Sequence, residues 1–291
     1  MNDHAIRSAA KTAQAAFRLP LRDTTWRGLH GQFAGQGSGS SLDFQDHRPY
    51  FPGDDPRHIN WQAFARTGNY TMKLYRQEVS PQIDLLIDCS PSMFFDSAKE
   101  KRTNELSLFC AESALRLGAA LRVHAIDSSA AKLVAIDQLL GGKWQPEEEK
   151  SAAKKTAAPE KLALERAPFR HGSLRVLISD LLFPAEMDGL RLLAVNQGRG
   201  IVFAPWCRAE AEPEWDGNHL FHDVETGAKE RRRVTPSLLR RYTEAYVRHF
   251  STWRDAARRH GVRLARLNCT NDFTSTLRAE ALPVGAVEPC Q

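Results

Sequence analysis

The chain has 291 residues, enough for one large domain with an appendage or for two small ones. Its 42% hydrophobic content supplies a core, and a net charge of +5 is too mild to mark a nucleic-acid binder. Five cysteines, Cys89, Cys110, Cys207, Cys269 and Cys290, include no CxxC pair, which argues against a zinc or redox motif; three of them sit in or beside apolar stretches, which suits buried, reduced thiols.

Met1 to Phe17 lacks the continuous apolar segment of a signal peptide, and residues 4–17 suit a short amphipathic helix. No run reaches the ~20 apolar residues that cross a bilayer, so a cytoplasmic protein without a membrane span is expected. Residues 26–80 are rich in glycine, aromatic and charged residues. Gly31, Gly35, Gly37 and Gly39 lie close together, and a Pro-Gly-Asp-Asp turn falls at 52–55, which predicts loops and short strands. Met72 and Leu74 alternate with Lys73, Tyr75 and Gln77, as on a strand with one wetter face.

From residue 82 the pattern becomes regular. Ile83 to Asp88 reads as a buried strand, and 97–118 as a helix with Leu106, Phe109, Cys110, Ala114 and Leu117 on one face. Strands are expected at 121–126 and 132–136, and residues 141–158, rich in Lys, Glu and Ala, as a surface loop or frayed helix. A strand at 174–179, a helix at 186–197, a strand at 200–206 and an edge strand near 219–224 follow. The basic cluster Lys229, Arg231, Arg232 and Arg233 suits a solvated turn or a contact for an acidic partner. Thr235 and Pro236 open a helix that runs to about His260 and stops at Gly261. A strand at 262–267 and a short helix close the chain. The expected fold is α/β: a doubly wound, mostly parallel sheet behind an irregular, β-containing N-terminal segment. The expected domains are 1–79 and 80–291.

In such sheets ligands bind beyond the carboxyl ends of the strands. Two strand ends there carry chemistry. Asp88-Cys89-Ser90-Pro91-Ser92 places one carboxylate and two hydroxyls at alternate positions, all hard oxygen ligands suited to Mg²⁺ or Mn²⁺. Asp180 ends the later strand and meets Asp88 if the two strands are neighbours. The same residues also suit helix capping. No P-loop, G-x-S-x-G elbow or HExxH is present, and Ser90 stands where a dehalogenase-type phosphatase needs a second Asp. The chain is therefore expected not to be an enzyme. A metal-assisted hydrolase and a basic nucleic-acid-binding scaffold, the latter with Trp253, Arg254, Arg258 and Arg259 on one helix, are the alternatives.

The D-x-S-x-S loop with a later strand-end Asp resembles the metal-ion-dependent adhesion site of von Willebrand factor A-like domains. Upstream, Gly37-Ser38-Gly39, Asp43-Phe44, Arg48-Pro49-Tyr50, the string Pro52 to Trp61, Ala65-Arg66 and Lys73 to Glu78 resemble the bacterial "domain of unknown function 58" family. That resemblance covers residues 20–280; Asn60 and Asp43 stand where the family usually has Asp and Glu. It implies a von Willebrand A-like domain that binds a metal and holds a partner protein, with a MoxR-type AAA+ ATPase as the implied partner. It also implies a further ligand, a Thr from an intermediate loop, for which Thr156 is the candidate; a solvated threonine is the other reading of that residue. Asp54 and Asp55 with Arg57 and Arg66 are expected to form a buried ion-pair network. Trp61 and Phe64 are expected to anchor that segment against the A-like domain, with a partner surface as the alternative use of the same residues.

Overall fold

A computed structural model of the protein describes residues 3–21, 42–77, 80–141 and 162–290. The chain divides into two compact units, one of residues 1–21 with 81–291 and one of residues 22–80.

Helix α1 (Asp3–Ala16) buries Ile6, Ala10 and Ala13, a stripe at helical spacing, and leads into the two-residue strand β1 (Phe17–Arg18). Both belong to the larger unit. This differs from the division at 79/80, which placed residues 1–79 together. Phe17, Leu19 and Leu21 enter the same core as the central sheet, and an apolar tail of that kind is held by what it packs on, not by its place in the sequence.

The smaller unit pairs β2 (Leu42–Pro49) antiparallel with β3 (Thr71–Gln77), with a bulge between Phe44 and Asp46. Helix α2 (Trp61–Thr67) lies between them in the chain. The Asn60 side chain accepts the Ala63 N–H at its start, and Gly68, at φ 71°, closes it in the left-handed conformation that glycine adopts without strain.

In the larger unit, β4 (Gln82–Asp88), α3 (Ser97–Arg116), β5 (Ala120–Ile126), β6 (Ala131–Val134) and α4 (Ile136–Leu140) precede β7 (Leu174–Ile178). Then come β8 (Arg199–Trp206), α5 (Arg208–Ala211), β9 (Gly217–His222), β10 (Lys229–Val234), α6 (Pro236–His260), β11 (Arg263–Asn268), α7 (Phe273–Thr276) and β12 (Glu288–Pro289). The central sheet has the order β11-β8-β7-β4-β5-β6, parallel throughout except for the antiparallel edge strand β6. Alternation along β4 sends Ile83, Leu85 and Ile87 to the face covered by α1 and α3. Leu86 joins Leu177 and Val202 on the face covered by Tyr246, Phe250 and Trp253 of α6. Both faces are thus dry, which is why β4 and β7 read as largely apolar runs, each interrupted by one buried charge, Asp84 and Arg175.

Two expected elements differ. Residues 186–197 form turns and one 3₁₀ turn (Arg191–Leu193) instead of a helix. Asn196 and Gln197 sit at φ 55° and 58°, and Gly189 passes so close to Trp253 that a Cβ there would lie 2.9 Å from its ring. The expected edge strand is β9, but it pairs with β10 in a separate two-stranded hairpin. Lys229, Arg231, Arg232 and Arg233 therefore lie along an exposed strand and not in a solvated turn.

Candidate functional site

Because β4 and β7 are neighbours in register, with Ile87 opposite Ile178, their carboxyl ends bring Asp88 and Ser179-Asp180 together. Asp88 is fully buried. Its Oδ2 accepts the Ser179 hydroxyl at 2.6 Å, and its Oδ1 accepts the Ser90 N–H at 2.8 Å. Burial, and then the facing Asp180 carboxylate, push the Asp88 carboxyl up to about 7, while the Ser179 and Ser90 hydrogen bonds pull the other way. Two carboxylates held together in a dry place create a demand for positive charge.

One cation from the chain meets part of that demand. Lys99, in the first turn of α3 and wholly buried, donates to Asp180 Oδ2 at 3.0 Å and pairs with Glu210 of α5. Burial works to lower the Lys99 ammonium, but Asp180 and Glu210 outweigh it and hold its pKa above the ordinary lysine value. Asp96 caps α3 by accepting the N–H groups of Ala98 and Lys99, which fixes where the lysine points. The other Asp180 oxygen accepts the Leu182 N–H at 3.0 Å. Between them Leu181 is buried at φ 57°, an uncommon conformation for a non-glycine residue. Its carbonyl accepts the Trp253 indole N–H at 3.1 Å and its N–H reaches Ser179 Oγ. Helix α6 thus holds the turn that aims Asp180.

Capping does not use the two motif serines. Ser90 starts the 3₁₀ turn Pro91–Met93 without a side-chain cap, and Asp96 caps the main helix. The Ser90 and Ser92 hydroxyls lie 3.1 Å apart, hydrogen-bonded to each other. The Ser92 N–H donates at 3.0 Å to Glu225 Oε1, from the turn between β9 and β10. Asp88, Ser90, Ser92 and Asp180 are therefore one cluster, and Thr156 lies outside the described residues. Among the described residues no three His, Cys, Asp or Glu side chains group as an ion cage. A fit to metal therefore rests on the hydroxyls. Two neighbouring hydroxyls beside a buried carboxylate with unmet charge suit a hard divalent cation, and in that sense the donor set fits.

Lys99, Glu210 and Glu225 were absent from the sequence-based site. Lys99 did leave a signal: it lies seven residues before Leu106, on the apolar stripe of α3, where a charge requires a buried partner. Glu210 and Glu225 lie more than a hundred residues further on, and nothing local marks them.

The expected ion-pair network of the smaller unit is arranged differently. Asp54 is paired bidentately with Arg48, through Nη1 at 2.7 Å and Nη2 at 2.6 Å, and also accepts the Phe51 N–H. Asp55 caps the turn at Arg57 and pairs with that exposed guanidinium. Arg66 is exposed and has no ion pair among the described residues. The pairs are thus local to the tight turn, where short sequence separation brings the charges together without burying them. Trp61 is 58% exposed and packs edge-on against Phe64 and Tyr70, so it is not a buried anchor.

No helix among the described residues is long and apolar enough to cross a membrane. Uncharacterized proteins of Mycobacterium bovis and Mycobacterium tuberculosis are each 24% identical over 287 residues, spanning 95% of this chain and 89% of the relative. Two solved structures are similar at low scores. BatB from Bacteroides thetaiotaomicron gives a TM-score of 0.38 at 10% identity, and an aerotolerance-related membrane protein from Bacteroides fragilis gives 0.36 at 13%. Each match covers 70% of this chain and 98% of the other. That likeness is too loose to carry an argument about the site. Residues 46–252, from the Arg48–Asp54 turn through the D-x-S-x-S loop to α6, match the family described as protein of unknown function DUF58, and the chain belongs to that family.

Proposed function

We propose that the carboxyl edge of the central sheet is a metal-dependent docking face for a partner protein, in a domain of von Willebrand A-like type, and that the chain is an adaptor and not an enzyme. The observation that carries this is the buried Asp88–Asp180 pair, whose one neutralising ammonium is engaged by Asp180 and Glu210, beside two hydroxyls that no helix cap uses. Asp88, Ser90 and Ser92 would hold Mg²⁺ or Mn²⁺, with Asp180 behind them. The ion, when bound, supplies a hard positive centre able to accept an acidic side chain.

The surroundings support a protein partner. Phe95, 59% exposed, lies three residues beyond Ser92; Leu182 and Val224 are exposed two residues after Asp180 and one before Glu225. Exposed apolar side chains on the same loops as a polar centre suit a protein interface. The exposed cations of β10 favour an acidic partner. That the partner is a MoxR-type AAA+ ATPase is carried over from the family resemblance alone; a cytoplasmic site of action is proposed from the sequence, which has no signal-peptide-like segment at Met1 to Phe17 and no apolar run of bilayer length.

The test is calorimetric titration of Mg²⁺ and Mn²⁺ into metal-stripped protein, with Asp88→Ala as control. Saturable binding in the wild type and none in the variant is expected. Absence of binding in both would sink the metal-dependent reading.

A further inference from the structure

The hairpin of β9 and β10 is built with unusual care at its tip. Asp223 accepts the N–H groups of Glu225 and Thr226 and the Thr226 hydroxyl, and Gly227, at φ 70°, returns its N–H to the Asp223 carbonyl. Such a turn holds its side chains in place, since Asx-type bonds remove the freedom that loop tips ordinarily keep. The side chain it presents toward the sheet is Glu225. One of its carboxylate oxygens accepts the Ser92 N–H at 3.0 Å, 133 residues away in the chain. Its second oxygen has no hydrogen-bond partner among the described residues. The hairpin makes its own two-stranded sheet and reaches the D-x-S-x-S loop through this contact.

A solvated glutamate gains little from one backbone N–H. A glutamate with one oxygen fixed on the amide of a D-x-S-x-S serine, and the other without a hydrogen-bond partner among the described residues, is placed as a ligand. The geometry points to Glu225 as an anionic ligand supplied by the chain itself, so that the hairpin closes the metal position that a partner's carboxylate would otherwise take. This rests on the metal-dependent reading above. It goes further in assigning a residue outside the adhesion motif, and in making partner binding an exchange: an acidic side chain of the partner replaces Glu225 and releases the hairpin. The cations of β10 would then move away from the loop together with the carboxylate that holds them there.

The test uses the full chain with Mn²⁺ as probe, followed by electron paramagnetic resonance for affinity and by water-proton relaxation for the number of waters on the ion. Glu225→Ala should weaken Mn²⁺ binding by about tenfold or more and raise the relaxivity per bound ion, because water enters the place of the carboxylate. In parallel, amide hydrogen exchange of residues 217–234 should slow when Mg²⁺ is added to the wild type and be indifferent to Mg²⁺ in Glu225→Ala. A purely structural hydrogen bond to Ser92 would change exchange to the same extent with and without the ion. Wild-type binding with an unchanged affinity and relaxivity in Glu225→Ala would overturn this inference and leave the metal reading standing. Absence of Mn²⁺ binding in the wild type would overturn both.

Discussion

Lys99 is the residue whose surroundings specify it most tightly. Its ammonium has no exposure, and it joins Asp180 of the strand-end loop to Glu210 of α5. Removing one partner of a buried ion pair costs more than the pair contributes, because the remaining charges lose both water and counter-ion. Here two carboxylates would be left facing each other near a third, Asp88. Lys99→Met is therefore expected to lower stability by about 3–5 kcal/mol in urea unfolding, although methionine fills nearly the same volume. Addition of Mn²⁺ should recover part of the loss by supplying the missing charge; a variant as stable as the wild type without metal would show that the Lys99 ammonium is not what balances these carboxylates. Of this cluster, Asp88, Ser90, Ser92 and Asp180 were legible in the sequence because each follows directly from a strand end. Glu210 and Glu225 were not, because chain position says nothing about which loop folds back to a given strand end.

At the scale of elements, β4 and β5 hold a second buried polar group at the amino end of the sheet, well away from the loops. Asp84 on β4 accepts Arg170 Nε at 2.7 Å and the Ser173 hydroxyl at 2.7 Å. His124, buried on β5, is held below the usual histidine range first by burial, with Arg122 and Arg170 adding to that and Asp84 opposing it. A histidine with a folded-state pKa below its unfolded value near 6.5 binds its proton more readily when unfolded, so stability is complete above that value and falls as pH drops through it. The raised Asp88 carboxyl works the other way in this window, since it takes up its proton in the folded protein, so the His124 contribution is read as a difference: from pH 7.5 to 5.5 the melting temperature of His124→Gln should gain on that of the wild type. A difference that stays constant with pH would place the acid sensitivity elsewhere. The strands were legible as elements because both faces of a parallel sheet are dry and leave apolar runs. The false helix at 186–197 shows the limit of periodicity: Leu190 and Leu193 are buried at helical spacing, but Gly189 must clear Trp253, a contact made from the far end of α6. The basic strand β10 was misread for a related reason, since an exposed strand of a two-stranded hairpin has no apolar alternation to reveal it.

For the molecule as a whole, the order of units along the chain is the feature sequence could least supply. Composition changes near residue 80, so a boundary there was visible; that the first 21 residues belong beyond it was not, because α1 and β1 find their partners across a long stretch of chain. Helix α1 packs its alanines against α3, and β1 pairs with β12, with Phe17 opposite Pro289 and Arg18 opposite Glu288. The Arg18–Glu288 ion pair at 2.7 Å joins the two ends of the larger unit. Residues 22–80 are thus an insertion into a unit whose own termini are held together, the arrangement in which inserted segments are tolerated. Replacing residues 22–80 with a flexible Gly/Ser linker should leave a protein that unfolds in one cooperative transition with its far-ultraviolet helix signal retained. Removing residues 1–21 instead strips Ile6, Ala10, Ala13, Phe17, Leu19 and Leu21 from the core and should abolish that transition. The two deletions differ in their expected effect opposite to their lengths, and a truncation at residue 21 that melted like the full chain would show that α1 is not part of the larger unit's folded core.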